Sequence, residues 1–441
     1  MTTPPPHPSA AASAAASVPS DAPASVSASV SASASSAVSL AVTLGRRAAT
    51  TALLLALIPL TAALLVAVTV LGAPVSLATR GPWRQTRVAG FALLYLLADL
   101  AGLVTATVVF LRDPSPRPAA RRRREDTAFR TLARLLAVLR RAAEHVFRLR
   151  VEVTPAVPRG SGPGGDGSHG DASDGDVSHG DVSHGDVSHG DASHGDGSGG
   201  DVSGGSAPRA SALMGGRPYE RVAPGSDPRR APLLVLVRHA GLGDSFLLLQ
   251  ILLTEAGLRP HTVLKGALRA DPCLDVLLGR VPHCFVPPAS GTAVDGIADL
   301  AAGLRPGDAL VLFPEGGNFT PRRHRRVIAM LRRRGLYRRA ARASRLHYVL
   351  PPRDGGALAA LAAAPTADVV FVTHAGLDVI DSVRTAWSVL PFTRGVRAHW
   401  WRIPAAAIPP GEEARSDWLL TQWERVDRWT AAHAVARTPH V

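Results

Sequence analysis

Two long apolar runs near the N-terminus constrain this chain more than any other feature. The first spans about Ala48 to Leu77 and the second about Val88 to Leu111, and neither contains Lys or Arg. Each reaches the ~20 residues a helix needs to cross a bilayer. The linker from Ala78 to Arg87 is short, so the two runs form a hairpin. Asp99 is the single acid in the second run, and it is costly in lipid unless it faces its partner helix or water. Arg112, Arg117 and Arg121 to Arg124 follow the hairpin and outweigh Arg80, Arg84 and Arg87 in its turn. The positive-inside rule therefore predicts a hairpin that starts and ends in the cytoplasm, at the cell membrane. The alternative is a pair of core helices buried on every side.

The flanking segments divide the chain. Residues 1–45 are Ala, Ser, Pro and Val without helical or strand periodicity, and read as a disordered tail. Residues 46–112 hold the hairpin. Residues 125–433 read as one globular domain, interrupted at 155–228 by a disordered insertion. Within the insertion, from Gly165 to Gly204, a unit of Gly-Asp-x-Ser followed by His, Asp or Gly recurs every five residues. Gly and Ser in every unit prevent a packed core. The His and Asp residues of the repeat invite a metal reading, but no unit fixes a geometry and short-period expansion explains the pattern.

Composition narrows the partners. The formal net charge is +14 and the basic charge is almost all Arg, which favours nucleic acid, anionic lipid or phosphorylated ligands. No aromatic residues interleave with the arginines, and two membrane spans fit poorly with a nucleic-acid binder, so no nucleic acid is expected. Cys273 and Cys284 make no disulfide framework and no Cys-based zinc site.

The globular part alternates strands with helices. Residues 125–150 read as an amphipathic helix, with Phe129, Leu132, Leu135, Leu136, Leu139, Val146 and Phe147 on one face. Val151 to Val153 alternates like a strand. Leu233 to Val237, Ala309 to Phe313 and Asp368 to Val372 read as buried strands. Phe246 to Leu253, Arg322 to Leu346 and Trp418 to Ala432 read as helices. That rhythm predicts an α/β domain. Trp418, Trp423 and Trp429 fit either a core or an interfacial anchor. His283, His347 and His374 show no partner in the sequence.

Two segments carry chemistry. In Arg238-His239-Ala240-Gly241-Leu242-Gly243-Asp244-Ser245, His239 ends a strand, and Asp244 or Ser245 opens a helix as its N-cap. The glycines let the turn fold back, so that the carboxylate reaches the imidazole. A carboxylate on one ring nitrogen fixes the tautomer, and the other nitrogen can then take a hydroxyl proton. The spacing alone is weak, because His169 and Asp174 repeat it inside the insertion. The second segment runs from Phe313-Pro314-Glu315-Gly316 through Gly317-Asn318-Phe319-Thr320-Pro321. It also follows a strand, and it opens a helix at Thr320 and Pro321. Free amides at that helix start can face a phosphate. The helix is amphipathic and carries Arg322, Arg323, Arg325, Arg326, Arg332, Arg333 and Arg334, which suits an anionic membrane surface or phosphorylated ligands. A solvated charged face is the alternative.

These blocks, in this order, resemble those of the glycerolphosphate and lysophospholipid acyltransferases, the family of 1-acylglycerol-3-phosphate acyltransferase. His239 to Asp244 resembles the family's His-x4-Asp block and Phe313 to Gly316 its Phe-Pro-Glu-Gly block. Lys265 to Leu268 with Pro272 resembles the segment between them, and Leu350 to Arg353 with Gly355-Gly356 resembles the later Pro-containing block. The likeness is strongest to a bacterial branch near the lysocardiolipin acyltransferases. It implies an α/β fold with a mixed sheet flanked by helices, behind a two-helix transmembrane hairpin. It also implies transfer of a fatty acyl group from acyl-CoA or an acyl carrier protein to a lysophospholipid in phospholipid biosynthesis, with 1-acyl-sn-glycerol-3-phosphate as the first choice of acceptor. His239 would be the base, Asp244 its orienting partner, and Glu315, Gly316, Lys265 and Arg353 would bind substrate. No metal and no cofactor beyond the acyl thioester co-substrate is implied. A non-catalytic lipid-binding scaffold on the same fold is the alternative.

The chain departs from the family pattern in two places. Gly317 stands where many members have Thr or Ser. Phe285-Val286 leads to Pro287-Pro288 where an Arg often follows, which leaves Arg269, Arg280 and Arg353 as alternatives for the phosphate-binding role. The sequence does not identify an oxyanion donor.

Overall fold

The computed structural model describes residues 24–78, 83–112, 114–157, 231–241, 243–286, 292–378, 380 and 383–434. The repeat from Gly165 to Gly204 and residues 1–23 lie outside the described residues. Three helices come first: α1 (Ala24–Ala78), α2 (Arg84–Arg112) and α3 (Pro118–Phe147). Strand β1 (Val151–Thr154) and strand β2 (Leu233–Val237) flank the insertion. The chain continues as α4 (Asp244–Thr254), β3 (Arg259–Lys265), α5 (Pro272–Leu278), β4 (His283–Val286), α6 (Thr292–Ala302) and β5 (Asp308–Leu312). It ends as α7 (Pro321–Arg333), α8 (Tyr337–Ala343), α9 (Asp354–Ala363), β6 (Asp368–Ala375), α10 (Val383–Val389), β7 (Val396–Ile403) and α11 (Glu412–His433).

The seven strands form one mixed sheet in the order β1-β7-β6-β2-β5-β3-β4. Every neighbouring pair is parallel except β6 and β7. This is the mixed α/β sheet flanked by helices that the sequence leads one to expect. β2, all apolar, and β5, apolar after its first residue Asp308, are buried at every position, as central strands of a doubly covered sheet are. One face packs on α6, α9 and α11, where Phe371 stacks on Trp401 at 5.3 Å and Trp423 is fully buried. The other face meets α4 through Val235, Val237, Leu248 and Leu252. Beyond α4, the apolar stripe of α3 (Phe129, Leu132, Leu136) packs with Leu274 and Leu277 of α5.

Three expectations change. Residues 24–45, expected as a disordered tail, extend α1 from its apolar part. Alanine has the highest helix propensity, and an existing helix spares the added turns the cost of nucleation. The single helix expected from Arg322 to Leu346 is two, α7 and α8, broken where Gly335 takes a φ of +74°. Asp244 is the first residue of α4, not its cap; the cap is Gly243 in the left-handed conformation.

The hairpin is tied to the domain along its whole length. Arg46 and Arg47 on α1 grip the two carboxylate oxygens of Asp275 on α5 at 2.8 and 2.7 Å. Arg280 donates to the Ala106 carbonyl near the far end of α2 at 2.6 Å. At the turn end, Arg84 donates to Leu390 O at 2.7 Å, and Arg87 donates to Val146 O. Asp99 is buried in a small cavity lined by Tyr95, Leu135, Leu139, Phe246, Asp271 and Leu274, where the Tyr95 hydroxyl donates to Asp271. Gly102 is the point of closest approach, since a Cβ there would lie 2.5 Å from Cys273 Sγ. α1 is outermost, and Leu53, Leu60, Leu64, Val70 and Leu71 are more than half exposed.

Gly102→Leu should therefore lift α2 from α5 and cost about 1–3 kcal/mol. Thermal unfolding in detergent checks it: Gly102→Leu lowers Tm by several degrees, while Gly72→Leu, which faces open space, leaves it unchanged.

Candidate active site

Parallel strands aligned side by side end at one edge, and in open α/β sheets that carboxyl edge is where ligands bind. β2 and β5 are hydrogen-bonded neighbours. The turn after β2 therefore brings His239 beside the turn after β5, which carries Phe313 to Gly316. The two rings meet with their centroids 4.9 Å apart.

The turn from His239 to Asp244 closes on a carboxylate. Asp244 Oδ2 accepts from His239 Nδ1 at 2.7 Å, from Ala240 N at 2.9 Å and from Gly241 N at 3.3 Å. Its Oδ1 accepts from Ser245 N at 2.6 Å and Ser245 Oγ at 3.1 Å. Two glycines make this possible. Gly243 has a φ of +91°, and a Cβ on Gly241 would lie 2.7 Å from the Leu377 carbonyl. Burial alone would raise the Asp244 carboxyl, but the bond from His239, the charges of His239 and His374 and the Ala240 amide outweigh it and hold it at about 2. An ionised carboxylate only accepts, so Nδ1 of His239 carries a proton, and in the neutral ring Nε2 presents a lone pair. The His239 side chain is 21% exposed, whereas that of Asp244 is 3% exposed.

Glu315 sits behind this pair. It is buried, and its Oε1 accepts from His239 N at 2.9 Å while Oε2 accepts from Leu350 N at 2.8 Å. Burial pushes its carboxyl up to about 8, against the pull of Arg238 and the two amides. Both oxygens are thus engaged by backbone. Glu315 shapes the site through the strand ends it joins, and the acceptor role expected for it is not one that its carboxylate reaches out to perform. Arg238, also buried, donates to His374 O and Tyr348 O and pairs with Asp378. His374 Nε2 lies 3.0 Å from Arg238 O, and burial first, then the Arg238 charge, holds the ring below the usual histidine range.

The remaining expected residues fall on the same edge or away from it. Gly316 takes a φ of +67°, and the Arg353 guanidinium lies where its Cβ would be, with Cζ 2.8 Å from that point. Arg353 N also donates to Pro314 O at 2.9 Å. Lys265 ends β3, the neighbour of β5, and is exposed. Of the three arginines left open for phosphate, Arg353 is at the site. Arg280 is spent on Ala106 of α2, and Arg269 lies over the Phe285 ring at 3.9 Å. A fourth, Arg323, covers Gly317 with Nη1 3.0 Å from the place of a Cβ, and it donates to Asn318 O at 3.2 Å. Thr320 caps α7 and Pro321 follows, as expected.

Arg323, Arg238, His374 and Asp378 were not singled out by sequence reasoning. Arg323 was hidden among seven arginines, and only the side-chain packing over Gly317 separates it. The partnership of His374 with Arg238 depends on β6 pairing with β2, which no local spacing reveals. Among the described residues, no group of three or more His, Cys, Asp or Glu is arranged to hold a metal ion.

Residues 222–373 match the protein-family model described as Acyltransferase. The chain carries an acyltransferase domain. The matched span contains both the His239–Asp244 turn and the Phe313–Gly316 turn, and it ends just short of His374. No curated protein matches the chain. The site offers an imidazole with one nitrogen held by a carboxylate, and the turn after the neighbouring strand carries two arginines over a glycine corner.

The depressed Asp244 carboxyl has a consequence for stability. Its proton is held more weakly in the folded chain than in the unfolded one, so its contribution is present above the unfolded value of about 4. It is lost as the pH falls toward about 2. Chemical unfolding should show the wild type losing about 2–3 kcal/mol more than Asp244→Asn across that interval. Parallel losses in the two proteins would contradict the assignment.

Proposed function

We propose that this acyltransferase domain moves a fatty acyl group from a thioester, acyl-CoA or acyl carrier protein, to the hydroxyl of a lysophospholipid. 1-Acyl-sn-glycerol-3-phosphate, giving phosphatidate, is the first choice of acceptor. The observation that supports the reading is the His239–Asp244 pair at the same sheet edge as the Gly316–Gly317 corner that Arg353 and Arg323 cover. A hydroxyl acceptor with a phosphate two carbons away has use for both.

In the reaction, Nε2 takes the proton as the hydroxyl oxygen forms its bond to the thioester carbonyl. The tetrahedral intermediate collapses, the carbon–sulfur bond breaks, and the departing thiolate receives the proton from the His239 imidazolium. Asp244 stabilises that imidazolium and stays ionised throughout. Arg353 and Arg323 hold the phosphate of the acceptor, and Lys265 sits on the same edge of the sheet to meet either substrate. Glu315 and Gly316 act through backbone shape: one joins the strand ends, the other leaves room for Arg353.

The acceptor and product are lipids, which gives the hairpin its purpose at the cell membrane. α2 lies against α3, which carries Arg130, Arg134, Arg140 and Arg141, and it is bonded to the domain at both ends. A crossing hairpin would hold its turn roughly 30 Å of hydrocarbon away from the domain. The hairpin is better read as lying along the domain, with the exposed leucines and valines of α1 in the lipid. The arginines of α7 then meet anionic headgroups or the acidic donor, on the cytoplasmic face where acyl thioesters are made.

Membranes carrying the protein, given labelled acyl-CoA or acyl carrier protein thioester and a panel of lysophospholipids, test this. The wild type should acylate one acceptor class, and His239→Ala should lose about a thousandfold in kcat. Arg353→Ala should raise KM for a phosphate-monoester acceptor by about tenfold to a hundredfold and leave kcat within a few-fold. No transfer by the wild type with any pairing would favour a non-catalytic lipid-binding scaffold.

A further inference from the structure

We infer that Asp427, on the C-terminal helix and outside the span that matches the family, is a positioning residue for His239, and that it acts through Glu315. The inference rests on His239 being the reactive group of the proposed function, but its geometry stands apart from that reading.

The segment from His347 to Arg353 joins α8 to α9 without helix or strand. Its amides cannot be left unpaired where the chain is buried. Asp427, itself buried, collects them. Its Oδ1 accepts from His347 N at 3.0 Å, Tyr348 N at 2.7 Å and Val349 N at 3.2 Å. Its Oδ2 accepts from His347 N at 3.2 Å. Consecutive amides turned to one point form an anion-binding nest. The next amide, Leu350 N, turns to the other carboxylate, Glu315 Oε2, whose partner oxygen holds His239 N. Two buried carboxyl groups thus hold four successive amides, and the second holds the backbone of His239 as well. Tyr348 O receives Arg238, and Arg353 N reaches Pro314 O at the far end of the segment. Losing Asp427 frees the segment that holds Glu315 in place, and with it the backbone of His239 and the base of Arg353.

Asp427 touches no substrate, so its role must be separated from simple stability. Three variants do this. Asp427→Ala removes the nest. Asp427→Asn keeps one oxygen, which suffices for the three amides on Oδ1. Leu420→Ala empties a fully buried core position on the same helix and removes none of the hydrogen bonds of this network. Each full-length protein is studied in detergent, well below its Tm, with circular dichroism confirming that it is folded. Two readouts follow: kcat for acyl transfer, and the rate at which diethyl pyrocarbonate modifies His239, measured by peptide mass spectrometry. We expect Asp427→Ala to lower kcat about tenfold to a hundredfold and to change the His239 modification rate at least threefold. Asp427→Asn should recover most of both, and Leu420→Ala should lower Tm while leaving both near wild type. If Asp427→Ala merely lowers Tm as Leu420→Ala does, with His239 reacting at the wild-type rate, the inference is overturned. If the wild type transfers no acyl group but the modification rates still separate as expected, the proposed function fails and the positioning role stands.

Discussion

A single buried carboxylate, that of Glu315, holds together three segments that are far apart in sequence. It lies in the turn after β5, takes the amide of His239 from the turn after β2, and takes the amide of Leu350 from the segment before α9. A carboxyl group removed from water must find hydrogen-bond partners, since a buried polar group left unpaired is costly to a fold. Only the assembled sheet edge supplies them. Arg238 beside it, also buried, extends the same demand to β6 through His374 and to Asp378 just beyond that strand. The active edge is therefore fixed by polar bonds behind it, while His239 itself keeps one face open.

This division of labour shows why part of the site was legible in the sequence and part was not. His239 and Asp244 are close in the chain, and glycines between them announce a turn that folds back, so local spacing suffices. Phe313 to Gly316 follows the apolar run Ala309 to Leu312 and precedes a Thr-Pro helix start, which places it at a strand end. β2 could be read from its apolar run, β5 to within one residue at each end, and β6 as far as Val372, three residues short of its end. β3 and β7 could not, because Pro260 and His261 interrupt one and Arg397, His399 and Arg402 the other. The links from Glu315 to Leu350, from Arg238 to His374 and from Asp427 to the 347–349 amides all cross between elements. They depend on strand order and helix packing, which leave no mark in spacing.

The hairpin follows the same logic at a larger scale. Apolar length was plain in the sequence, and so were the arginines that flank it. Their partners were not: Asp275, Leu390 O and Val146 O lie in distant parts of the chain. Arginines that the positive-inside rule counts as topological signals are here also tethers to the domain. That places an apolar helix pair beside the fold, with Phe246 on the catalytic helix and Tyr95 and Asp99 on α2 lining one small cavity between them. The apolar hairpin and α4, which carries Asp244, are thereby joined within one packed unit.

The central claim is that Asp244 fixes the tautomer of His239 and leaves Nε2 bare. Nitrogen NMR of the histidine-labelled protein, with the His239 signals identified by their loss in His239→Gln, tests it directly. The neutral ring should carry its proton on Nδ1, with Nε2 at the shift of an unprotonated nitrogen, and Asp244→Asn should mix the two tautomers. A neutral ring protonated on Nε2 in the wild type would contradict it, because such a ring could not take a proton from an acceptor on its open face.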